Sequence, residues 1–165
     1  MLKKKICMIG TNAVGKTSLV RRFVHCAFSE TYESNIGVKM EKKVVKVPAD
    51  EVTLVLWDLY GEDKFQQIQM SYLRGMDGYL LVADSTRRKT YDDALALQEK
   101  VTREIGKFPF VFLLNKCDLA NQRDIETGAE GALEQRGWQV RQSSAKTGQH
   151  VEESFLWLAN EMTAK

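Results

Sequence analysis

Gly10, Gly15, Lys16 and Thr17 stand at the spacing G-x-x-x-x-G-K-S/T within the stretch GTNAVGKTS. That spacing suits a polyphosphate. Glycines let the backbone come close to phosphate oxygens with no Cβ in the way. The N–H groups of Asn12, Ala13, Val14, Gly15, Lys16, Thr17 and Ser18 would turn toward one point, and a following helix N-terminus adds partial positive charge there. Lys16 supplies a point charge for the β- and γ-phosphates of a nucleotide, and the Thr17 hydroxyl is a hard ligand suited to Mg²⁺.

Three further groups carry compatible chemistry. Asp58-Leu59-Tyr60-Gly61 is a D-x-x-G. Its Asp58 is suited to holding Mg²⁺ through water, and Gly61 would let a backbone N–H reach the γ-phosphate. Alone the pattern is weak, because Asp and Gly end many strands. Asn115-Lys116-Cys117-Asp118 is more specific. A carboxylate at Asp118 can accept from both N1–H and the exocyclic amine of guanine, a donor pair adenine lacks. The Lys116 stem can lie along the base, and Asn115 can tie this loop to the phosphate loop. Backbone N–H groups of Ser144-Ala145-Lys146 are candidates for guanine O6, on position alone. Before these, the connection 27–38 is suited to closing over a nucleotide. Asn35 there is within reach of both Mg²⁺ and the γ-phosphate, while Phe28 either stacks on the base or caps the first helix.

Positioning such groups requires strands that end beside one another. Ile6-Cys7-Met8-Ile9 reads as a buried strand before the loop, and Leu19, Val20, Phe23 and Val24 recur at helical spacing after it. Lys43–Val47 and Val52–Trp57 read as strands joined by the short turn Pro48–Glu51, hence antiparallel. Then follow strand Gly78–Ala83, helix Thr90–Ile105, strand Phe110–Leu114, helix Thr127–Arg136, strand Trp138–Arg141 and helix Val151–Met162. The alternation predicts an α/β fold, a mostly parallel sheet with helices on both faces. Ligands of such sheets bind beyond the carboxyl ends of the strands, where every motif above falls.

The 165 residues match one domain, with 44% apolar and 28% charged residues and a net charge of +2. That balance gives no electrostatic case for nucleic acid or a membrane surface. Lys3-Lys4-Lys5 reads as a solvated strand entry. Three cysteines, Cys7, Cys26 and Cys117, fit a reduced, cytoplasmic protein. No segment has the apolar length of a membrane span, no signal peptide is visible, and the C-terminus lacks a prenylation cysteine. The chain stops abruptly after a helical pattern, as the trimmed part of a longer protein would.

With these residues in family order, the chain resembles the small GTPases of the Ras superfamily, most closely the Rab-like branch. The resemblance rests on Gly10–Ser18, Ile36-Gly37-Val38, Trp57-Asp58, Gly61, Lys64-Phe65, Ser71-Tyr72, Arg74-Gly75, Asp84, Asn115–Leu119 and Ser144–Gly148. It implies a phosphate-loop NTPase fold with a six-stranded sheet and five helices, over 1–165 as a single G domain. It also implies binding of GTP or GDP with Mg²⁺, stacking by Phe28, and two switch regions that tighten on GTP. Exchange factors, GTPase-activating proteins and effectors are the implied partners.

Departures from the family pattern gather at the γ-phosphate. Asn35 stands where the pattern has Thr, so a hydroxyl ligand to Mg²⁺ becomes an amide oxygen. Glu62 replaces Gln; ionised, it can only accept a hydrogen bond and sets negative charge beside an anion. Leu59-Tyr60 replaces a small pair, and Tyr60 has three roles open to it: holding the second switch open, shielding the site, or meeting a partner. Asn12 adds bulk where an arginine finger would enter. Arg87 and Arg88 are finger candidates within the chain, although a solvated loop is the plainer reading. Slow hydrolysis through Lys16, Gly61 and Glu62 is one expectation; a nucleotide-bound interaction module with negligible turnover is another. A nucleoside kinase would need an acceptor pocket and an Arg-rich lid, neither evident here.

Overall fold

The computed structural model of the chain describes residues 2–26, 37–60 and 70–164. Strands β1 (Leu2–Ile9), β2 (Gly37–Lys46), β3 (Glu51–Tyr60), β4 (Gly78–Asp84), β5 (Phe110–Asn115) and β6 (Val140–Gln142) form one sheet, ordered β2-β3-β1-β4-β5-β6. Four α-helices lie among the described residues: α1 (Lys16–His25), α2 (Arg88–Glu104), α3 (Ala129–Gln135) and α4 (Val151–Thr163). Short 3₁₀ segments cover Met70–Leu73 and Cys117–Gln122. The β2–β3 pair is antiparallel, since its turn closes with Val47 and Asp50 exchanging backbone hydrogen bonds at 3.0 and 3.1 Å. All other neighbours are parallel, their longer crossovers leaving room for helices on the sheet faces.

Strand alternation divides the apolar residues into two layers. Ile6, Met8, Leu54, Leu80, Val111 and Leu113 pack with Leu19 and Phe23 of α1 and Phe155 and Leu158 of α4. On the opposite face Cys7, Ile9, Tyr79, Leu81, Phe112 and Leu114 pack with Tyr91, Ala94 and Leu97 of α2 and Leu133 of α3. All seven residues of β4 are buried, as a central parallel strand covered on both faces requires.

Three local expectations change. β2 begins at Gly37, because β3 runs on to Tyr60 and each residue from Gly37 to Lys42 finds a rung there. Lys5 is no solvated strand entry: its Nζ lies 3.6 Å from the Trp57 ring centre and donates to the carbonyls of Tyr72 (2.5 Å) and Arg74 (2.9 Å). β6 starts at Val140, while Trp138 sets its ring edge-on to Phe110, 5.1 Å away. The cysteines are free thiols, and burial pushes that of Cys7 up to about 12.

Phe23 and Phe155 stack at 4.1 Å between ring centres and 3° between planes, fastening α1 to α4. Phe155 is fully buried. Phe155→Ala should therefore lower unfolding free energy by about 3–5 kcal/mol in denaturant titrations.

Candidate functional site

β1 delivers the chain at Ile9 into a loop that becomes α1 at Lys16. Close approach decides two of its glycines. A Cβ on Gly10 would lie 2.5 Å from the Val82 carbonyl oxygen of β4. A Cβ on Gly15 would lie 2.2 Å from Asn115 Nδ2, and Gly15 has φ 106°. Asn115, at the end of β5, donates from Nδ2 to the Val14 carbonyl at 3.0 Å, and its Oδ1 accepts from Ser143 Oγ at 3.1 Å. That side chain ties the strand-5 loop to the phosphate loop.

Lys16 is buried, with Nζ 2.5 Å from the Gly10 carbonyl oxygen. Burial lowers its pKa to about 8, with the Asp58 charge acting against the shift. Asp58, buried at the end of β3, accepts from Thr17 Oγ1 at 2.5 Å through Oδ2. Its Oδ1 is buried with no hydrogen-bond partner among the described residues. Burial raises the Asp58 pKa, while the Thr17 hydrogen bond and the Lys16 charge oppose it. A hydroxyl and an orphaned carboxylate oxygen side by side fit Mg²⁺, which takes few protein ligands and keeps its other positions for water and phosphate. No group of three His, Cys, Asp or Glu residues is gathered for a metal among the described residues.

After β5, Asp118 is exposed, and its Oδ1 accepts from Ser144 Oγ at 2.8 Å. Ser144 gives its N–H to Gln149 O at 3.1 Å. Its hydroxyl, which holds Asp118, is thus its working group, whereas the sequence pointed to its N–H. The carbonyls of Ala145 and Lys146 both accept from Arg22 of α1, the first at 2.8 Å from Nε. Nothing in the sequence flagged Arg22, one of two adjacent arginines on a half-buried helix face.

Lys116, at φ 67°, lies with Nζ 2.9 Å from Asp84 Oδ2 and 3.2 Å from the Ala13 carbonyl oxygen. Arg87 shares both partners. Its Nε bonds Asp84 Oδ2 at 3.0 Å, and Nη2 reaches the carbonyls of Asn12 at 3.1 Å and Ala13 at 3.0 Å. It is therefore an exposed loop residue, as the plainer reading of the sequence has it, but one whose guanidinium is engaged with Asp84 and two loop carbonyls. Arg88 turns away to Asp92 and Glu126. Asp84 is 1% exposed; burial acts to raise its pKa, yet hydrogen bonds from Thr86, Lys116 and Arg87 hold it below the usual carboxylate value.

Phe28, Asn35, Gly61 and Glu62 lie outside the described residues, as does the side chain of Tyr60. The segments carrying them, 27–36 and 61–69, join the sheet at one rung, where Gly37 pairs with Tyr60.

The Ras family model matches residues 5–164. Cattle Ras-related protein Rab-8B is 32% identical over 167 aligned residues, covering 98% of this chain and 79% of its own. Rab-10 of Caenorhabditis elegans is 33% identical, with 98% and 81% covered. Rab11A of Lotus japonicus is 32% identical over 160 residues, with 96% and 71% covered. No helix among the described residues is long and apolar enough to cross a membrane. A phosphate loop at the end of β1, an Asp at the end of β3 and an N-K-x-D at the end of β5 agree with that match: the chain belongs to the Ras family, as a small GTPase close to Rab proteins.

Proposed function

We propose that this GTPase is a cytoplasmic switch, one G domain over 1–165, that binds GTP or GDP with Mg²⁺ and hydrolyses GTP slowly by in-line attack of water. One observation carries the reading: Lys16 and Asp58 are both buried and interact through their charges, and Asp58 Oδ1 has no hydrogen-bond partner among the described residues. Buried charge without full pairing is costly, so the arrangement favours an anion with a cation as its occupant.

In this reading the N–H groups from Asn12 to Ser18 and the Lys16 ammonium bind the phosphates. Thr17, Asp58 and Asn35 would hold Mg²⁺, which would supply charge to neutralise the phosphates. Asp118 selects guanine, Lys116 and Phe28 flank the base, and Ala145 and Lys146 border it with Ser144 bracing Asp118. Gly61 offers its N–H to the γ-phosphate. Loss of that phosphate releases both switch segments, and exchange factors, GTPase-activating proteins and effectors read or drive the change. The rival reading, a nucleotide-bound interaction module without turnover, rests on Asn35, Tyr60 and Glu62. Purified protein that keeps bound GTP intact over a hydrolysis time course would favour it.

Calorimetry with Mg²⁺ should show GTP held at least about a thousandfold tighter than ATP, because adenine lacks the pair of donors that Asp118 would accept from guanine. Equal affinity, or none for either, refutes the assignment. Glu62→Gln should speed single-turnover GTP hydrolysis on the order of tenfold, by replacing an anion with a group that both donates and accepts. A marked drop would instead make Glu62 the working catalyst.

Lys16 adds a pH signature. An unfolded lysine titrates near 10.5 and the folded Lys16 near about 8. Between those values the unfolded chain holds more protons, so the nucleotide-free fold gains stability as pH rises. A polyphosphate restores the charged amine, so binding takes up a proton. Calorimetry in two buffers of unlike ionisation enthalpy should show net proton uptake on binding GDP at about pH 8.5, and less of it at about pH 7.

A further inference from the structure

We propose that Arg87 is a positioning residue for the phosphate loop, setting the direction of the N–H groups that grip the β-phosphate. The inference rests on the reading of residues 10–18 as the phosphate site. A trans peptide is planar, so the carbonyl of one residue and the N–H of the next point in opposite directions. Arg87 Nη2 holds the Asn12 and Ala13 carbonyls on the outer side of the loop, at 3.1 and 3.0 Å. That fixes the N–H groups of Ala13 and Val14 on the inner side. Lys116 takes the Ala13 carbonyl as well, and Asn115 takes that of Val14.

The guanidinium is itself held. Its Nε bonds Asp84 Oδ2, and Asp84 is anchored by Thr86 N–H at 2.9 Å and Thr86 Oγ1 at 2.6 Å through Oδ1. A planar fork can meet a carboxylate through one nitrogen and two carbonyls through another, which a single amine cannot match. The loop needs such a brace. Ala13 stands at φ 62° without being glycine, a conformation the surrounding contacts have to maintain. Arg87 comes from the loop entering α2, so it joins the β4 end of the sheet to the phosphate cradle.

The Arg87 side chain is 46% exposed, and its truncation leaves both cores intact. Two readouts test the proposal: GDP affinity by calorimetry, and the ³¹P resonance of the bound β-phosphate. Arg87→Ala should weaken GDP about tenfold and move that resonance, as loss of hydrogen bonds from a charged donor predicts. Arg87→Lys, which keeps the charge but not the fork, should recover only part of both. Parent-like behaviour of Arg87→Ala overturns the proposal, and so does weakened affinity with an unmoved resonance, the mark of general destabilisation. Full rescue by Arg87→Lys overturns it too, since charge alone would then suffice. An unsubstituted chain that takes no GDP overturns the phosphate-site reading on which the proposal stands.

Discussion

A loop that offers its N–H groups to a ligand has to dispose of its carbonyls elsewhere. Backbone oxygens withdrawn from water need donors, and each one left without costs about as much as a lost hydrogen bond. The phosphate loop meets this demand almost residue by residue. Gly10 O faces Lys16, Asn12 O and Ala13 O face Arg87, Ala13 O also faces Lys116, Val14 O faces Asn115, and Gly15 O takes the Leu19 N–H. Two of these donors, Asn115 and Lys116, come from the end of β5 and the residue after it. The N-K-x-D segment and the loop before α1 are therefore tied together, and a change in Asn115 or Lys116 removes a donor from that loop.

The cradle is costly without its occupant. Lys16 and Asp58 both resist the charged state in which they bind, because burial opposes ionisation of each. A bound polyphosphate with its cation reverses that penalty, and ligands that bind only the folded state stabilise it by mass action. Stability and occupancy are thus linked through the same two side chains. The layers packed on the two sheet faces are apolar by contrast.

Sequence patterns made the strand ends legible, because a loop motif, an apolar run and a helical repeat are all local. Gly10, Lys16 and Asn115 could be read from neighbours within a few positions. Arg87 could not. Its carbonyl partners lie 75 and 74 residues earlier, and an arginine in a βα loop carries no local mark of such a bond. Arg22 and Lys5 escaped notice for the same reason, with partners more than sixty residues distant. The start of β2 was hidden differently. Lys39, Glu41, Lys42 and Lys43 leave little apolar alternation, since an edge strand is held through its backbone rungs to β3.

Geometry also separates binding from turnover in this chain. Residues that depart from the family pattern, Asn35, Tyr60 and Glu62, sit in or beside two segments that leave the sheet at the single Gly37–Tyr60 rung. The donors to the Asn12, Ala13 and Val14 carbonyls come instead from β5 and from the loops after β4 and β5, on the far side of β1. Arg87, Lys116 and Asn115, which hold the Asn12, Ala13 and Val14 carbonyls, all lie outside those two segments, so a substitution there removes none of these three donors.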